Sequence, residues 1–125
     1  MPEVIGIGTD LCAVSRMEKA IAKEHFYTRV FLEGERAYLD GKGKTRAQSA
    51  AAMFAAKEAV AKALGTGIGI IEWREIEITH DEKGRPLAAL SGKALKLMNG
   101  MGGRMLHVSI SHIKDIAVAQ AILEG

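Results

Sequence analysis

The spacing of hydrophobic and polar positions predicts a strand followed by helices in the N-terminal part of the chain. Glu3 to Thr9 is short, rich in Val and Ile and followed by Asp10, so we predict a strand that ends in a turn at that residue. Apolar residues then recur three and four positions apart, and Ser15 begins a Ser-x-x-Glu capping box, which together predict a helix to about His25. A short helix is predicted around 33–39.

The longest helix is predicted in an alanine-rich segment that begins at Thr45 and ends at Leu64. This segment contains neither Gly nor Pro, and Thr45 and Gln48 form a second capping box. Gly65 follows directly and is a typical helix stop. The preceding segment, Asp40 to Thr45, holds two glycines and two lysines and is predicted to be a flexible loop.

The C-terminal half alternates between strand patterns and one more helix. Strands are predicted at 73–79, 86–90, 105–110 and 116–123, and a helix at 91–98. Helices combined with antiparallel hairpins indicate an α+β fold, with an antiparallel sheet packed against one long helix and shorter helices. The 125 residues are too few for two domains, so one domain is expected over 1–125.

Composition and charge narrow the class of protein. The N-terminus has neither a basic leader nor a long apolar run, and Cys12 is the one cysteine, so a cytoplasmic protein without a membrane span is expected. Cys12 itself is expected to be a small buried hydrophobe rather than a nucleophile. The net charge of +2 is too mild to indicate nucleic-acid binding.

Two glycine patterns look like nucleotide-binding motifs but lack what those motifs need. The segment from Gly6 to Leu11 has Leu where the dinucleotide fingerprint needs a third small residue. Gly43 to Thr45 resembles the end of a P-loop, but Tyr38 stands where the first glycine belongs. We therefore assign neither motif.

Three charged residues that could serve a catalytic site, Asp10, Glu58 and Lys62, also have ordinary structural explanations. Glu58 and Lys62 are four residues apart, and such a pair is commonly a helix-stabilising ion pair worth about 0.3–0.5 kcal/mol. Asp10 would likewise usually be a turn residue.

Four segments, taken in order along the chain, resemble the signatures of holo-acyl-carrier-protein synthases, the small trimeric type of 4′-phosphopantetheinyl transferase. They are Gly6–Asp10, Phe54–Ala59, Lys62–Ile68 and His107–His112. The resemblance implies transfer of the phosphopantetheine arm of coenzyme A to a serine of an apo acyl carrier protein, with release of adenosine 3′,5′-bisphosphate. It also implies Mg²⁺ dependence, a role in fatty-acid or polyketide synthesis, and a homotrimer with coenzyme A lying across subunit interfaces.

The resemblance assigns roles to particular residues. Asp10 and Glu58 match the family's metal ligands, and hard oxygen ligands of this kind suit Mg²⁺. Glu58, Lys62 and His112 are the expected catalytic residues, with Ser111 and His112 reaching the site from the neighbouring subunit. The residues expected to bind coenzyme A are Arg46, Phe54, Lys62, Gly65, Thr66, Gly67, Ser111 and His112.

Two positions depart from the family pattern. Met53 stands where many relatives have an Arg that contacts the nucleotide's 3′-phosphate, which leaves Lys42, Lys44 or Arg46 as substitute cations. Ile113 follows His112 where some relatives have Asp, so a His-Asp proton relay is not carried over.

A basic stripe of Arg16, Lys19 and Lys23 is expected on one face of the first helix. Such a stripe is ordinarily a solvated face, but Arg16 matches a family residue that docks the acidic carrier protein. Two other functions stay open on the residues alone. One is a module that binds nucleic acid or another anionic partner, and the other is a metal-dependent phosphoesterase that uses Asp10 and Glu58 to attack with water.

Overall fold

Two antiparallel sheets and five helices make up the structure, a computed structural model that describes residues 3–125. The strands and helices, in chain order, are β1 (Val4–Ala13), α1 (Val14–Ile21), α2 (Glu24–Val30), α3 (Glu33–Asp40), α4 (Arg46–Ala63), β2 (Ile76–His80), β3 (Pro86–Leu90), α5 (Gly92–Gly100), β4 (Met105–His112) and β5 (Ile116–Glu124). Short 3₁₀ turns at Gly43–Thr45 and Trp73–Glu75 precede α4 and β2. The α+β class and the long helix predicted from the sequence are confirmed.

The larger sheet has the strand order β1-β5-β4, and α4 lies across its inner face. The inner positions of β5 are small, with Ala117, Ala119 and Ala121 all fully buried. Small side chains let the helix approach the sheet closely, and α4 is itself buried around most of its circumference. The second sheet pairs β2 with β3 and contacts α3 and α4 through β2.

Gly6 and Gly8 on β1 explain why α4 sits where it does. A Cβ on Gly8 would overlap the carbonyl oxygen of Ala59, and one on Gly6 would overlap the carbonyl oxygen of Ala63. The backbone of α4 therefore rests directly on the backbone of β1, which only glycine permits. The Gly-x-Gly pattern serves helix packing, in agreement with its rejection as a dinucleotide motif.

The first strand is longer than predicted, and the first helix is shorter. Asp10 lies inside β1, opposite Ala119 of β5, rather than in a turn after the strand. The expected helix from Ser15 to His25 is divided into α1 and α2, and no side chain caps α1. The backbone N–H of Val14 instead donates to Asp115 O at 2.9 Å, so a tertiary contact replaces the expected cap.

The remaining elements follow the prediction with shifted boundaries. No side chain caps α4 either, because the Thr45 hydroxyl donates back to Lys42 O at 3.0 Å. This hydrogen bond lies in the 3₁₀ turn, which takes the place of part of the expected flexible loop. Gly65, at φ +83°, follows the end of α4 as predicted. Strand β4 extends to His112, so Ser111 and His112 lie in the strand and not in the hairpin loop, where the sequence had placed them.

A buried ion pair ties α3, α4 and β2 together. Lys57 and Glu35 are almost completely buried, and Lys57 Nζ lies 2.8 Å from Glu35 Oε1. Lys57 also donates to the carbonyl oxygens of Trp73 and Ile76, while Glu35 Oε2 accepts the N–H of Ile78 at 2.8 Å. Burial lowers the pKa of Lys57 and the Glu35 charge opposes that shift. Each charged atom therefore has partners, as a buried charge requires.

The outer face of the larger sheet carries several exposed apolar side chains among polar ones. Ile7, for example, is 70% exposed. The other large exposed apolar residues on these three strands are Val4, Leu11, Met105, Ile116 and Ile122. No helix in residues 3–125 is long and apolar enough to cross a membrane.

Candidate active site

Asp10 and Lys62 meet where β1 crosses the C-terminal half of α4. Lys62 Nζ donates to Asp10 Oδ1 at 3.1 Å and to Thr9 O at 2.9 Å. The ion pair that the sequence suggested between Glu58 and Lys62 is not formed, because close packing on Gly8 brings β1 within reach of the lysine. Lys62 is therefore held by the strand rather than by its own helix.

Glu58 faces the same region as Asp10 from one helical turn before Lys62. Burial and the negative charge of Asp10 raise the pKa of the Glu58 carboxyl, and Lys62 partly offsets this. Two like charges in a partly buried place repel each other unless a cation is present. The arrangement thus suits a divalent cation with oxygen ligands.

The number of acidic ligands limits which ion fits. Within residues 3–125, no group of three or more His, Cys, Asp or Glu side chains is arranged to hold a metal ion. Mg²⁺ commonly takes one or two carboxylates and completes its octahedron with water and substrate phosphates. Asp10 and Glu58 match that pattern of ligands.

Cys12, two residues beyond Asp10 on the same face of β1, is buried. Burial is the main reason that the pKa of its thiol is raised to about 11, and the negative charge of Asp10 is the second reason. The thiol is therefore protonated at neutral pH and is a poor nucleophile. Its burial confirms the expectation that Cys12 packs as a small hydrophobe.

The turn after α4 places backbone atoms beside Lys62. Gly65 and Gly67 have positive φ angles of +83° and +68°, and the N–H groups of Thr66 and Gly67 donate to Ala61 O. This is a glycine helix stop of the expected kind. Gly65, Thr66 and Gly67 thus come directly after the helical turn that carries Lys62.

A second group of residues lies on the opposite flank of α4. His112 and Met53 line a pocket of about 200 Å³ together with Tyr38, His80 and Pro86. Tyr38 and His80 stack with ring centroids 4.3 Å apart and planes within 8°. Sequence reasoning missed this pair, because the two rings come from α3 and β2 and no local pattern joins them.

Within one chain, α4 separates the pocket from the carboxylates. Met53 and Glu58 are five positions apart, which is about 140° around a helix. Asp10 lies on β1 and His112 on β4, the two outer strands of the sheet, so β5 and about 10 Å stand between them. Ser111, next to His112 on the strand, belongs to the opposite, outer face of the sheet. One chain therefore does not bring the expected catalytic residues to a single point.

Arg46 and Phe54 lie in neither group. Arg46 Nε is 3.3 Å from Asp40 Oδ1, and the guanidinium lies 4.6 Å from the centroid of the Tyr27 ring. Phe54 stacks on Trp73, with centroids 4.7 Å apart. Both side chains are thus engaged in packing, and their role in binding coenzyme A stays a prediction.

The basic residues of the first helices are exposed but do not form one continuous stripe. Arg16 and Lys19 are on α1, whereas Lys23 precedes α2, because the predicted helix breaks between them. Arg16 lies on α1, three residues after β1 ends at Ala13, and its positive charge opposes the rise in the Cys12 pKa. Arg16 therefore lies near the end of β1 that carries Asp10.

Comparisons with known proteins agree on one family. Residues 6–120 match the family model described as the 4′-phosphopantetheinyl transferase superfamily. A holo-[acyl-carrier-protein] synthase of Clostridium novyi (strain NT) is 46% identical over 97% of this chain and 88% of its own length.

Solved structures give the same result. A holo-(acyl-carrier-protein) synthase of Bacillus anthracis str. Ames, in complex with CoA (3′,5′-ADP), has a TM-score of 0.82 and 38% identity, covering 98% of this chain and 97% of that one. An acyl carrier protein synthase of Plasmodium yoelii with ADP bound has a TM-score of 0.89 and 34% identity, covering 100% and 98%.

Proposed function

The chain belongs to the 4′-phosphopantetheinyl transferase superfamily, among its holo-[acyl-carrier-protein] synthases, and we propose that Asp10, Glu58 and Lys62 form the centre at which it transfers phosphopantetheine from coenzyme A. The acceptor is the serine hydroxyl of an apo acyl carrier protein. The hydroxyl attacks the β-phosphorus, and adenosine 3′,5′-bisphosphate leaves. The meeting of the three side chains at the crossing of β1 and α4 is the observation that carries the proposal.

Asp10 and Glu58 would hold Mg²⁺, since each contributes a carboxylate to the same partly buried place. The ion would supply charge neutralisation to the pyrophosphate and polarise the transferred phosphoryl group. Lys62 would contact the phosphate oxygens with an ammonium already positioned beside Asp10. The turn from Gly65 to Gly67 would let the backbone lie close to coenzyme A.

The nucleotide would occupy the pocket of a neighbouring subunit. In one chain the carboxylates and His112 lie on opposite flanks of α4, so a site that uses both is best formed between two copies. The exposed apolar side chains on the outer face of the larger sheet, which include Ile7 and Ile122, are a surface that self-association would bury. We therefore propose a homotrimer, with Ser111 and His112 contributed by the neighbour.

The exposed cations Arg16, Lys19 and Lys23 would dock the acidic carrier protein. Arg16 lies near the Asp10 end of β1, so a carrier bound there could present its serine to the transfer centre. Charge complementarity at such a rim sets mainly the encounter rate and orientation. A cytoplasmic location fits this assignment and the unpaired thiol of Cys12.

Intact-mass measurement on an apo acyl carrier protein tests the proposal. The protein is incubated with coenzyme A, with and without Mg²⁺, and the carrier should gain the mass of one phosphopantetheine arm only when Mg²⁺ is present. Bisphosphate release without a carrier would instead support a phosphoesterase. No release under any of these conditions would support a binding module.

A further inference from the structure

The buried Lys57 has no part in the proposed transfer centre, yet all its hydrogen-bonding capacity is used. Its ammonium has three N–H donors, and three acceptors surround it: Glu35 Oε1 at 2.8 Å, Trp73 O at 3.0 Å and Ile76 O. Two of these acceptors are backbone carbonyls of one segment, which runs from the second 3₁₀ turn into β2. We call these two hydrogen bonds the Lys57 tether, since they fix that segment to α4.

Trp73 contacts α4 a second time through its ring. The indole stacks on the ring of Phe54, with centroids 4.7 Å apart and planes 29° apart. The ring of Phe54 in turn lies 6.2 Å from that of Phe26 on α2. Trp73 is thus fixed to α4 at two points, by its carbonyl oxygen to Lys57 and by its ring to Phe54. Loss of the tether would free the backbone that carries the stacked indole.

Phe54, Glu58 and Lys62 form the accessible side of α4. Between residues 50 and 63 every other residue is buried. The three are spaced four positions apart and therefore make one row along the helix. A substrate held by Glu58 and Lys62 lies on this row, and the half-buried ring of Phe54 is the next α4 side chain that it meets. Lys57 is fully buried, so it acts on such a substrate only through the stack.

We propose that Lys57 is a positioning residue for the transfer reaction: its tether to Trp73 sets the place of the Trp73–Phe54 stack, and the stack sets how well coenzyme A fits beside Glu58. This inference rests on the proposed function. The ion pair with Glu35 keeps the ammonium in place, so the pair serves the site as well as the fold.

Three variants separate the tether from the stability that the buried pair contributes. Lys57→Met breaks the tether and leaves Glu35 buried without its counter-ion. Lys57→Met combined with Glu35→Leu also breaks the tether but leaves no buried charge, so it should recover part of the stability. Glu35→Gln is the matched control, because it loses the ion pair and the associated stability while Lys57 keeps both carbonyl acceptors.

The KM for coenzyme A should follow the tether and not the stability. Both variants that lack Lys57 should raise this KM by about tenfold, the upper end of what one aromatic pair contributes, whereas Glu35→Gln should keep the wild-type value. Partial unfolding alone lowers the amount of active enzyme, and so the apparent kcat, without changing KM. If Lys57→Met alone does not fold, the double variant and Glu35→Gln decide. A wild-type KM in the double variant, or an equal rise in Glu35→Gln, would overturn the assignment.

Fluorescence of Trp73 tests the same assignment without the transfer reaction. Trp73 is the one tryptophan of the chain, so its emission reports directly on the stack. In both variants that lack Lys57 the emission should move to longer wavelength, and acrylamide should quench it more than in wild type, while Glu35→Gln should match wild type. Unchanged emission in both variants would overturn the positioning role. Failure of wild type to modify any apo carrier would count against the proposed function instead.

Discussion

Lys62 Nζ lies 3.1 Å from Asp10 Oδ1, so the ammonium expected to contact phosphate is held on a carboxylate expected to hold Mg²⁺. One strand and one helix thus assemble both parts of the proposed transfer centre. The contact depends on two glycines of β1 that let α4 lie directly on the strand. The proposed centre therefore depends on the close packing of α4 on β1 at this crossing.

Asp10→Asn and Glu58→Gln should each reduce Mg²⁺-dependent transfer by at least about a hundredfold, because each removes one of the two charged ligands of the proposed metal site. Intact-mass analysis of the carrier measures the rate, and circular dichroism checks the fold. Near-normal turnover of either variant at limiting Mg²⁺ would show that the metal site lies elsewhere.

Gly8→Ala should destabilise the protein by about 1–3 kcal/mol or more, because the added methyl would overlap the backbone of α4 at Ala59. Denaturant unfolding measures the change. Gly100→Ala is the matched control, since a Cβ there meets open space. Equal stabilities of the two variants would contradict the close packing of α4 on β1.

Lys57→Met should cost about 3–5 kcal/mol, because it leaves the Glu35 carboxylate buried without its counter-ion. Combining Lys57→Met with Glu35→Leu should recover part of that loss, since no buried charge then remains. Thermal unfolding followed by calorimetry measures both, and one transition is expected if 1–125 is one domain. A double variant no more stable than Lys57→Met alone would contradict the coupling.

His80 should titrate below its ordinary pKa of 6.5, because burial and the charge of Lys42 lower that pKa more than Asp81 raises it. The unfolded chain then binds protons more readily than the folded one, so His80 contributes stability above about pH 6.5 that is lost as the pH falls. NMR titration of the His80 ring measures the pKa. Lys42→Gln should raise it, and an unchanged value would mean that Lys42 lies farther from His80.

Glu58→Ala and His112→Ala chains should complement each other if active sites are shared between subunits. After dissociation and reassociation, some sites in mixed oligomers pair an intact Glu58 side with an intact His112 side. Transfer activity should then exceed that of both parents, provided that His112→Ala is itself impaired and ultracentrifugation confirms mixing. Activity at the parental average would indicate sites built within one chain.

The sequence by itself determined the family, the α+β class and the long helix. These depend on local patterns: helical spacing, a glycine stop after Leu64 and short motifs whose order along the chain identifies relatives. The same local information misplaced the end of the first strand and the caps of α1 and α4. Those features depend on partners elsewhere in the fold, such as Asp115 O for the N–H of Val14.

Only the tertiary structure decided which charges meet. Lys62 pairs with Asp10 rather than with Glu58, Lys57 reaches Glu35, and Lys42 lies over a ring that stacks on His80. Each of these contacts joins elements that are remote in sequence. The distance between such elements cannot be read from the spacing of residues along one helix. The packing of α4 on the sheet sets those distances, and it also places His112 and the carboxylates on opposite flanks of the helix.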